Sequence, residues 1–349
     1  MLPAVPAAFD RQGETTSMSH KLSLAALSAA VLLAAAPASA ETFPVKLIVQ
    51  HPVLFKGHAK VGIPTYHLNY VTSQQATAVA TIGARTRLAM VLAGVDEATM
   101  RRLADEAHAD LRAQFEAAGI PVLPDAAMAA MVAEAGLERI PGNVEKGGGG
   151  PGVTIGKSLK RGYVTYGASA APALMAYRTM SQLSGTTGFG PAAIGGFGNK
   201  FVMAAWNADA NLVMPSLTID FAEMSAAAGS DFLGRAKASA SGNVAFIIRA
   251  GSTISTLNPS SKGYGAAPGG LRPDKDVISR TPFARVEEGG AAVRVGSMTA
   301  IADENYQMVA RARGDAVVVD KPVWEGLVRD AYRDYNAALV AAVVKVVKK

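Results

Sequence analysis

Three histidines, His51, His58 and His67, lie close together and could offer imidazole ligands to a metal ion, with His108 as a fourth. Metal sites usually draw ligands at i,i+2 on a strand or i,i+4 on a helix. Here the spacings are seven and nine residues, so loops would have to fold back to unite them. His67 also shares strand parity with Thr65 and Asn69, the pattern of a solvated face, and that reading outweighs a metal centre. Residues 150–158 (GPGVTIGKS) invite a phosphate-loop reading, but the position five before Gly156-Lys157-Ser158 must be Gly and is Pro151. Acyl transfer lacks a G-x-S-x-G elbow, and Ser184 sits in an ordinary Leu183-Ser184-Gly185-Thr186 loop. Asp220 and Glu223, three apart on a strand, face opposite ways, while Asp105, Glu106, Asp110 and Glu116 occupy the solvent side of a helix. The chain has no cysteine, which excludes disulfides, thiolate zinc, iron-sulfur clusters and thiol catalysis. The expectation is a non-catalytic protein without metal or cofactor, with a hydrolase as the enzymatic alternative.

The elements that would position these residues read as an α+β fold, an antiparallel or mixed sheet packed by amphipathic helices. Val45–Val49, Val61–Val71 and Ala80–Leu92 have strand character. A phase shift at Pro64 suggests a bulge, and Arg85 and Arg87 lie opposite Leu88, Met90 and Leu92. Together they suggest a sheet with one wet face. Asp96 caps a helix whose Met100, Leu103, Ala107, Leu111, Phe115 and Ala118 recur at three and four, and Gly119 ends it. Ile120–Leu123 reads as a short strand and Asp125–Ala135 as a second helix.

Residues 141–157 (PGNVEKGGGGPGVTIGK) form the best boundary candidate, separating a unit over 41–140 from a second α/β region over 158–349. In that second region, Gly162–Gly167 and Leu212–Ala222 read as strands and Lys200–Ala208 as a helix. Ala236, Ala238 and Ala240 alternate with Arg235, Lys237 and Ser239, and Val244–Ile248 continues the sheet. Glu287-Glu288-Gly289-Gly290 suggests a hairpin turn between Pro282–Val286 and Ala292–Val295. The chain closes with a helix from Asp320, with Pro322 in its first turn. Val95, Asp96, Leu103, Ala107, Asp110 and Ala113 recur at constant offset as Val319, Asp320, Leu327, Ala331, Asp334 and Ala337. The shared needs of capped amphipathic helices explain this more simply than two related halves.

Met18-Ser19-His20-Lys21, the apolar run Leu22–Ala36 and Pro37-Ala38-Ser39-Ala40 have the polarity order of a cleavable export signal, with cleavage after Ala40 and a mature start at Glu41. At about 15 residues the run falls short of the ~20 needed to span a bilayer. Residues 1–17 carry Asp10 and Glu14 and read as an extension upstream of a true initiator at Met18. The address is the periplasm of a Gram-negative bacterium, or the medium, with no lipid-bearing cysteine and no transmembrane segment in the mature chain. Removing residues 1–40 deletes two cations and two anions, so the net charge stays at +6. The cations are scattered along the sequence and not interleaved with aromatics, which argues against nucleic acid. Half of the residues are hydrophobic, enough for one large core or two small ones.

Val95–Leu123 (VDEATMRRLADEAHADLRAQFEAAGIPVL), with the later strand Leu212–Ala222 and the closing helix, resembles a group of bacterial envelope α/β domains. These include the amino-terminal domain of TolB, the periplasmic domain of the curli secretion lipoprotein and the activators of penicillin-binding proteins. The resemblance covers about a third of the chain and implies binding without catalysis. The expected partner is an envelope protein or cell-wall polymer, held by the sheet face or the glycine-rich loops. Arg85, Arg87, Gly188, Phe189, Gly196 and Phe197 are the candidate contacts. The alternative is a carrier of a lipid or other apolar ligand.

Overall fold

A β-strand buried on both faces need not alternate in polarity, and that condition governs this molecule. The computed structural model describes residues 40–49, 60–80, 84–149, 156–174, 198–230, 235–257, 269–288 and 314–347. In chain order the elements begin with β1 (Leu47–Val49), β2 (Val61–Gly62), β3 (His67–Val79), β4 (Arg85–Ala93), α1 (Glu97–Ala117) and α2 (Asp125–Glu134). There follow β5 (Val144–Gly149), β6 (Gly156–Gly167), α3 (Gly198–Ala208), β7 (Asn211–Ser230), β8 (Ala236–Ile248) and β9 (Thr253–Leu257). β10 (Gly269–Pro273), β11 (Val277–Ser279), β12 (Ala284–Glu287), β13 (Asp315–Val319) and α4 (Lys321–Val347) complete the fold.

All thirteen strands belong to one mixed sheet, so the α+β class holds. Its main path runs β1-β10-β9-β7-β3-β4-β13-β12; β6 also pairs with β3, and β8 with β7. Helices pack on both faces. Alternate residues of β7 settle which: Val213, Leu217, Ile219 and Phe221 join the large core with Leu103, Leu111 and Phe115 of α1 and Trp324, Leu327 and Leu339 of α4. Leu212 and Met214, of opposite parity, pack with Met128 and Val132 of α2 and Phe201, Ala204 and Ala205 of α3.

The two long helices each follow a parallel strand. β4 leads to α1, β13 leads to α4, and β4 and β13 lie side by side with Met90 opposite Asp315. The offset repeat seen in the sequence thus maps onto two adjacent βα units. Asp96 caps α1 by accepting from Thr99 N–H at 2.7 Å, and Asp320 accepts from Val323 N–H at 3.3 Å. Gly119 takes φ +75° just past α1, the left-handed conformation expected of a terminating glycine. Asn336 of α4 joins the helices to the sheet by donating to Ala107 O (3.0 Å) and accepting from the Tyr66 hydroxyl (3.0 Å).

Several sequence expectations change. Thr65, His67 and Asn69 are fully buried, so the face read as wet is an interior polar face. The strand irregularity lies between Val71 and Ser73, not at Pro64, and β3 continues through polar residues to Val79. Ile120–Leu123 contributes only a single bridge, Val122 to Val61. Val144–Gly149, inside the glycine-rich stretch, pair antiparallel with β6, which also pairs with β3; residues on both sides of that stretch therefore share one sheet. Strand β12 pairs with β13, while residues 292–295 lie outside the described residues.

β3 and β7 run parallel over His67–Tyr70 and Ser216–Ile219, then part. Both strands are irregular at the parting, β3 between Val71 and Ser73 and β7 between Asp220 and Ala222. Asp220, fully buried, sits there as a junction. Its Oδ1 accepts from Gln74 Nε2 (2.6 Å) and Phe221 N–H (2.7 Å), and its Oδ2 from Arg249 Nε (2.7 Å). Arg249 also pairs with Asp276 at 2.7 Å, and Arg161 Nε lies 3.6 Å from Asp220. Asp220→Ala leaves two largely buried guanidinium groups short of their anion and should cost about 3–5 kcal/mol, measured by urea denaturation. A loss below about 1 kcal/mol would show that the junction is dispensable.

Candidate functional site

Of the candidate ligands, His51 and His58 lie outside the described residues, as do Ser184, Gly188, Phe189, Gly196 and Phe197. His67 is interior, flanked by a hydrogen-bond ladder across three strands. Asn69 Nδ2 donates to Ser216 Oγ (2.9 Å), Leu217 O (3.1 Å) and Thr218 Oγ1 (3.2 Å), and Asn69 Oδ1 accepts from the Thr165 hydroxyl. Burial pushes the His67 imidazole down to about 3, so it is neutral at physiological pH. Among the described residues no group of three or more His, Cys, Asp or Glu is placed to hold a metal ion.

His108 instead lines an open groove of about 470 Å³ between α1 and α2, with Asp105, Arg112, Glu116, Asp125 and Ser169. The residue types suggest a serine hydrolase, but the connections do not. Ser169 Oγ donates to Asp105 Oδ2 (3.1 Å), not to an imidazole, so the serine–histidine pair of such an enzyme is not formed here. His108 Nε2 lies 3.9 Å from Asp125 Oδ1, beyond hydrogen-bond reach. Burial lowers the His108 pKa and outweighs the opposing pull of Asp125. Arg112 is committed to Leu123 O (2.8 Å) and Asp125 Oδ1 (2.7 Å). Ala109, Ala113 and Ala170 share the lining with these charged groups, and the groove is open, unlike the enclosed apolar pocket a lipid carrier needs.

A second surface appears where the sheet parts. Beyond the Asp220 junction, β3, β4 and β6 form one arm and the outer halves of β7 and β8 form another, with Ser225–Ser230 paired to Ala236–Ser241. The arms touch through Thr86, whose hydroxyl donates to Ala238 O (3.1 Å), and through Gly242, where an added Cβ would meet Met90 Sδ at 2.7 Å. Ala76 and Ala78 are fully buried. Side chains this small let the arms approach closely.

This end of the sheet is basic. Arg85 and Arg87 flank Thr86 and are exposed, and the exposed Lys237 precedes Ala238; the Thr86–Ala238 bond brings all three to the same end of the sheet, with Arg85 and Arg87 on the face of β4 turned away from β8. Lys157 is exposed in the same cross-strand row as Ala78 and Thr86, about 10 Å away at the usual strand spacing. Lys160, half-buried, shares a row with Gln75 and Ala89. Strands β3, β4, β6 and β8 contain no Asp or Glu at all. Among the described residues, Arg85, Arg87, Lys157, Lys160 and Lys237 form no ion pair. The helical layer behaves oppositely: Arg101, Arg102, Arg329 and Arg333 are each bonded to neighbouring carboxylates.

Sequence reading singled out Arg85 and Arg87 but treated the basic residues as scattered. A signal was present: residues 42–95, 146–208 and 232–273 contain no acidic residue, and these stretches supply every strand of the two arms except β7, which carries Asp220 and Glu223. Residue spacing alone could not show that strand register brings them together. No family model, curated protein or solved structure matches this chain.

The two buried histidines give a pH dependence. Their folded pKa values lie below the unfolded value near 6.5, so the unfolded chain binds more protons and stability rises with pH. Stability should be complete above about pH 6.5 and fall progressively as pH drops below it. Urea midpoints at pH 7 and 5 check this: His67→Gln with His108→Gln should flatten the difference, and an unchanged slope would assign the acid sensitivity elsewhere.

Proposed function

We propose that this is an exported, non-catalytic protein of the bacterial envelope that binds an anionic envelope component, a cell-wall polymer or an acidic protein, at the basic end of its sheet. The observation that carries this reading is the set Arg85, Arg87, Lys157, Lys160 and Lys237, drawn from three strands onto one end and without an ion pair among the described residues. Such charges contribute nothing to folding, and a polyanion that reaches this end of the sheet meets cations on its outer faces that no ion pair already holds. Two further supports are independent of it. The Met18–Ala40 segment has export-signal order, and Val95–Leu123 resembles envelope domains that bind rather than catalyse. No helix among the described residues is long and apolar enough to cross a membrane. The open, partly charged lining of the α1–α2 groove favours this reading over an apolar-ligand carrier, and the Ser169–Asp105 bond favours it over a hydrolase.

The test is co-sedimentation of the chain starting at Glu41 with purified peptidoglycan and with anionic and neutral vesicles, at low and high ionic strength. Binding should be confined to anionic material and weaken with salt, since exposed charges are screened beyond about 8 Å at physiological ionic strength. Each exposed pair is worth roughly 0.2–1 kcal/mol, so the triple variant R85E/R87E/K237E should bind about 3- to 100-fold more weakly. Unaltered binding by a folded triple variant would move the site elsewhere on the molecule.

A further inference from the structure

Glu41 to Phe43 are fastened to α4 by their backbone. Glu41 N–H donates to Asp330 Oδ2 at 2.8 Å and Phe43 N–H to Asp334 Oδ2 at 2.7 Å. The Thr281 hydroxyl donates to Glu41 Oε2 at 2.7 Å, and the Phe43 ring is buried with its centroid 5.5 Å from that of Phe246. Asp330 and Asp334 are one helical turn apart, so one face of α4 presents both carboxylates to this segment. Their side chains are only 14% and 20% exposed. One cation serves both: Arg333 lies 2.9 Å from Asp330 and 3.5 Å from Asp334. With Glu41's own carboxylate beside Thr281, the cluster holds three anions and one cation among the described residues, and a neutral amide N–H does not correct that imbalance.

Hydrolysis of the Ala40–Glu41 bond would. Water adds to the Ala40 carbonyl carbon, the C–N bond breaks, Ala40 leaves as a carboxylate and the Glu41 nitrogen takes up protons to become an α-ammonium. That nitrogen is the atom already 2.8 Å from Asp330. We infer that cleavage after Ala40 converts the Glu41–Asp330 hydrogen bond into an ion pair, so the processed chain is more stable than the unprocessed one and its new N-terminus is a built part of the fold. A charge-assisted bond in a partly buried setting is about twice as strong as the neutral bond it replaces. The consequence is directional: the folded state tightens once the leader has gone. This inference rests on the export reading of residues 18–40 for its cleavage point, but the docking geometry of Glu41 does not.

Two proteins test it, one starting at Glu41 after a tag is removed without scar, the other carrying Gly-Ser-Gly-Ser-Ala before Glu41, each with Asp330 or with D330N. At pH 6.5 the Glu41-start protein should melt about 1–3 °C higher, and D330N should erase that difference by lowering the processed form more than the extended one. A raised α-amino pKa contributes stability that is complete below the unfolded value near 8 and lost as pH rises through the folded one. The gap should therefore close by pH 10. Groups facing that amine are Asp330, Asp334 and Arg333 on α4 and Glu41's own side chain, and D330N alters the nearest of them. Equal melting of the two forms, or an equal D330N effect in both, overturns the inference. The mass of the protein recovered from a bacterial periplasm separately decides the cleavage point: a start other than Glu41 sinks the cleavage reading while leaving the melting comparison interpretable.

Discussion

The buried junction at Asp220 is the constraint on which the rest of the sheet depends. Two parallel strands cannot part inside a sheet without stranding backbone groups, and a stranded buried carbonyl costs about as much as a lost hydrogen bond. At this fork the stranded group is Ala222 O, and side chains replace the missing ladder: Gln74 Nε2 donates to it at 2.7 Å and Arg249 Nη2 at 3.0 Å. Asp220 then holds both donors in place. Gln74 Nε2 meets both the carboxylate and the carbonyl, while Arg249 faces the carboxylate with Nε at 2.7 Å and Nη2 at 2.6 Å and uses Nη2 for the carbonyl as well. Burial works against the charge on Arg249, but Asp220 and Asp276 outweigh it and its pKa is raised. For Arg161, farther from Asp220, burial dominates and the pKa is lowered. One carboxylate thus permits a fork that apolar packing could not make, because an aliphatic residue at position 220 offers nothing to bind Gln74 or Arg249.

Everything distal to the fork inherits its geometry. Once β3 and β7 separate, β4 takes the place of β7 beside β3, with Gln74 opposite Met90, and β8 alone accompanies β7 through its outer half. Where the arms meet, Leu88, Met90 and Met224 close on Gly242, and the many Ala, Ser and Thr around them let the strands approach closely. Arg85, Arg87, Lys157 and Lys237 are carried by these arms, far from the carboxylates of α1 and α4. The net charge of the chain is modest; its segregation is what gives one end of the molecule an unbalanced field.

How much of this was legible in the sequence depended on whether water touched one side of an element. Helices α1 and α4 each keep a polar stripe facing solvent, so their apolar residues recur at three and four and their caps at Asp96 and Asp320 could be read directly. Strands β3 and β7 are covered on both faces over much of their length. There the alternation of Thr65, His67 and Asn69 reports partners in the interior, not solvent, and the rule that polar residues face water fails. Asp220 is opaque for the same reason: its neighbour in sequence is Glu223, while its partners, Gln74, Arg161 and Arg249, stand on three other segments. Long-range pairs of that kind leave no local pattern. The basic end left a regional one, the acid-free stretches, which only strand register could turn into a surface.

The helical layer shows what the basic end lacks. Lys321, opening α4, reaches Asp96 at the cap of α1 (2.6 Å), and Glu106 of α1 accepts from Arg329 of α4 (2.8 Å), so carboxylates and cations meet across the seam of the two βα units. The pairing with Lys321, followed by the Thr99 N–H bond, lowers the Asp96 pKa to about 2, and that carboxylate stays charged through any physiological acidity. Exposed pairs of this sort are worth about 0–1 kcal/mol each, too little to explain the fold, yet they orient one unit against the other. The same arithmetic applied to the arms runs the other way. Among the described residues Arg85, Arg87, Lys157 and Lys237 lack such partners, so replacing them should be nearly neutral for folding. A surface that folding does not need is where selection for binding would leave a mark distinct from selection for stability.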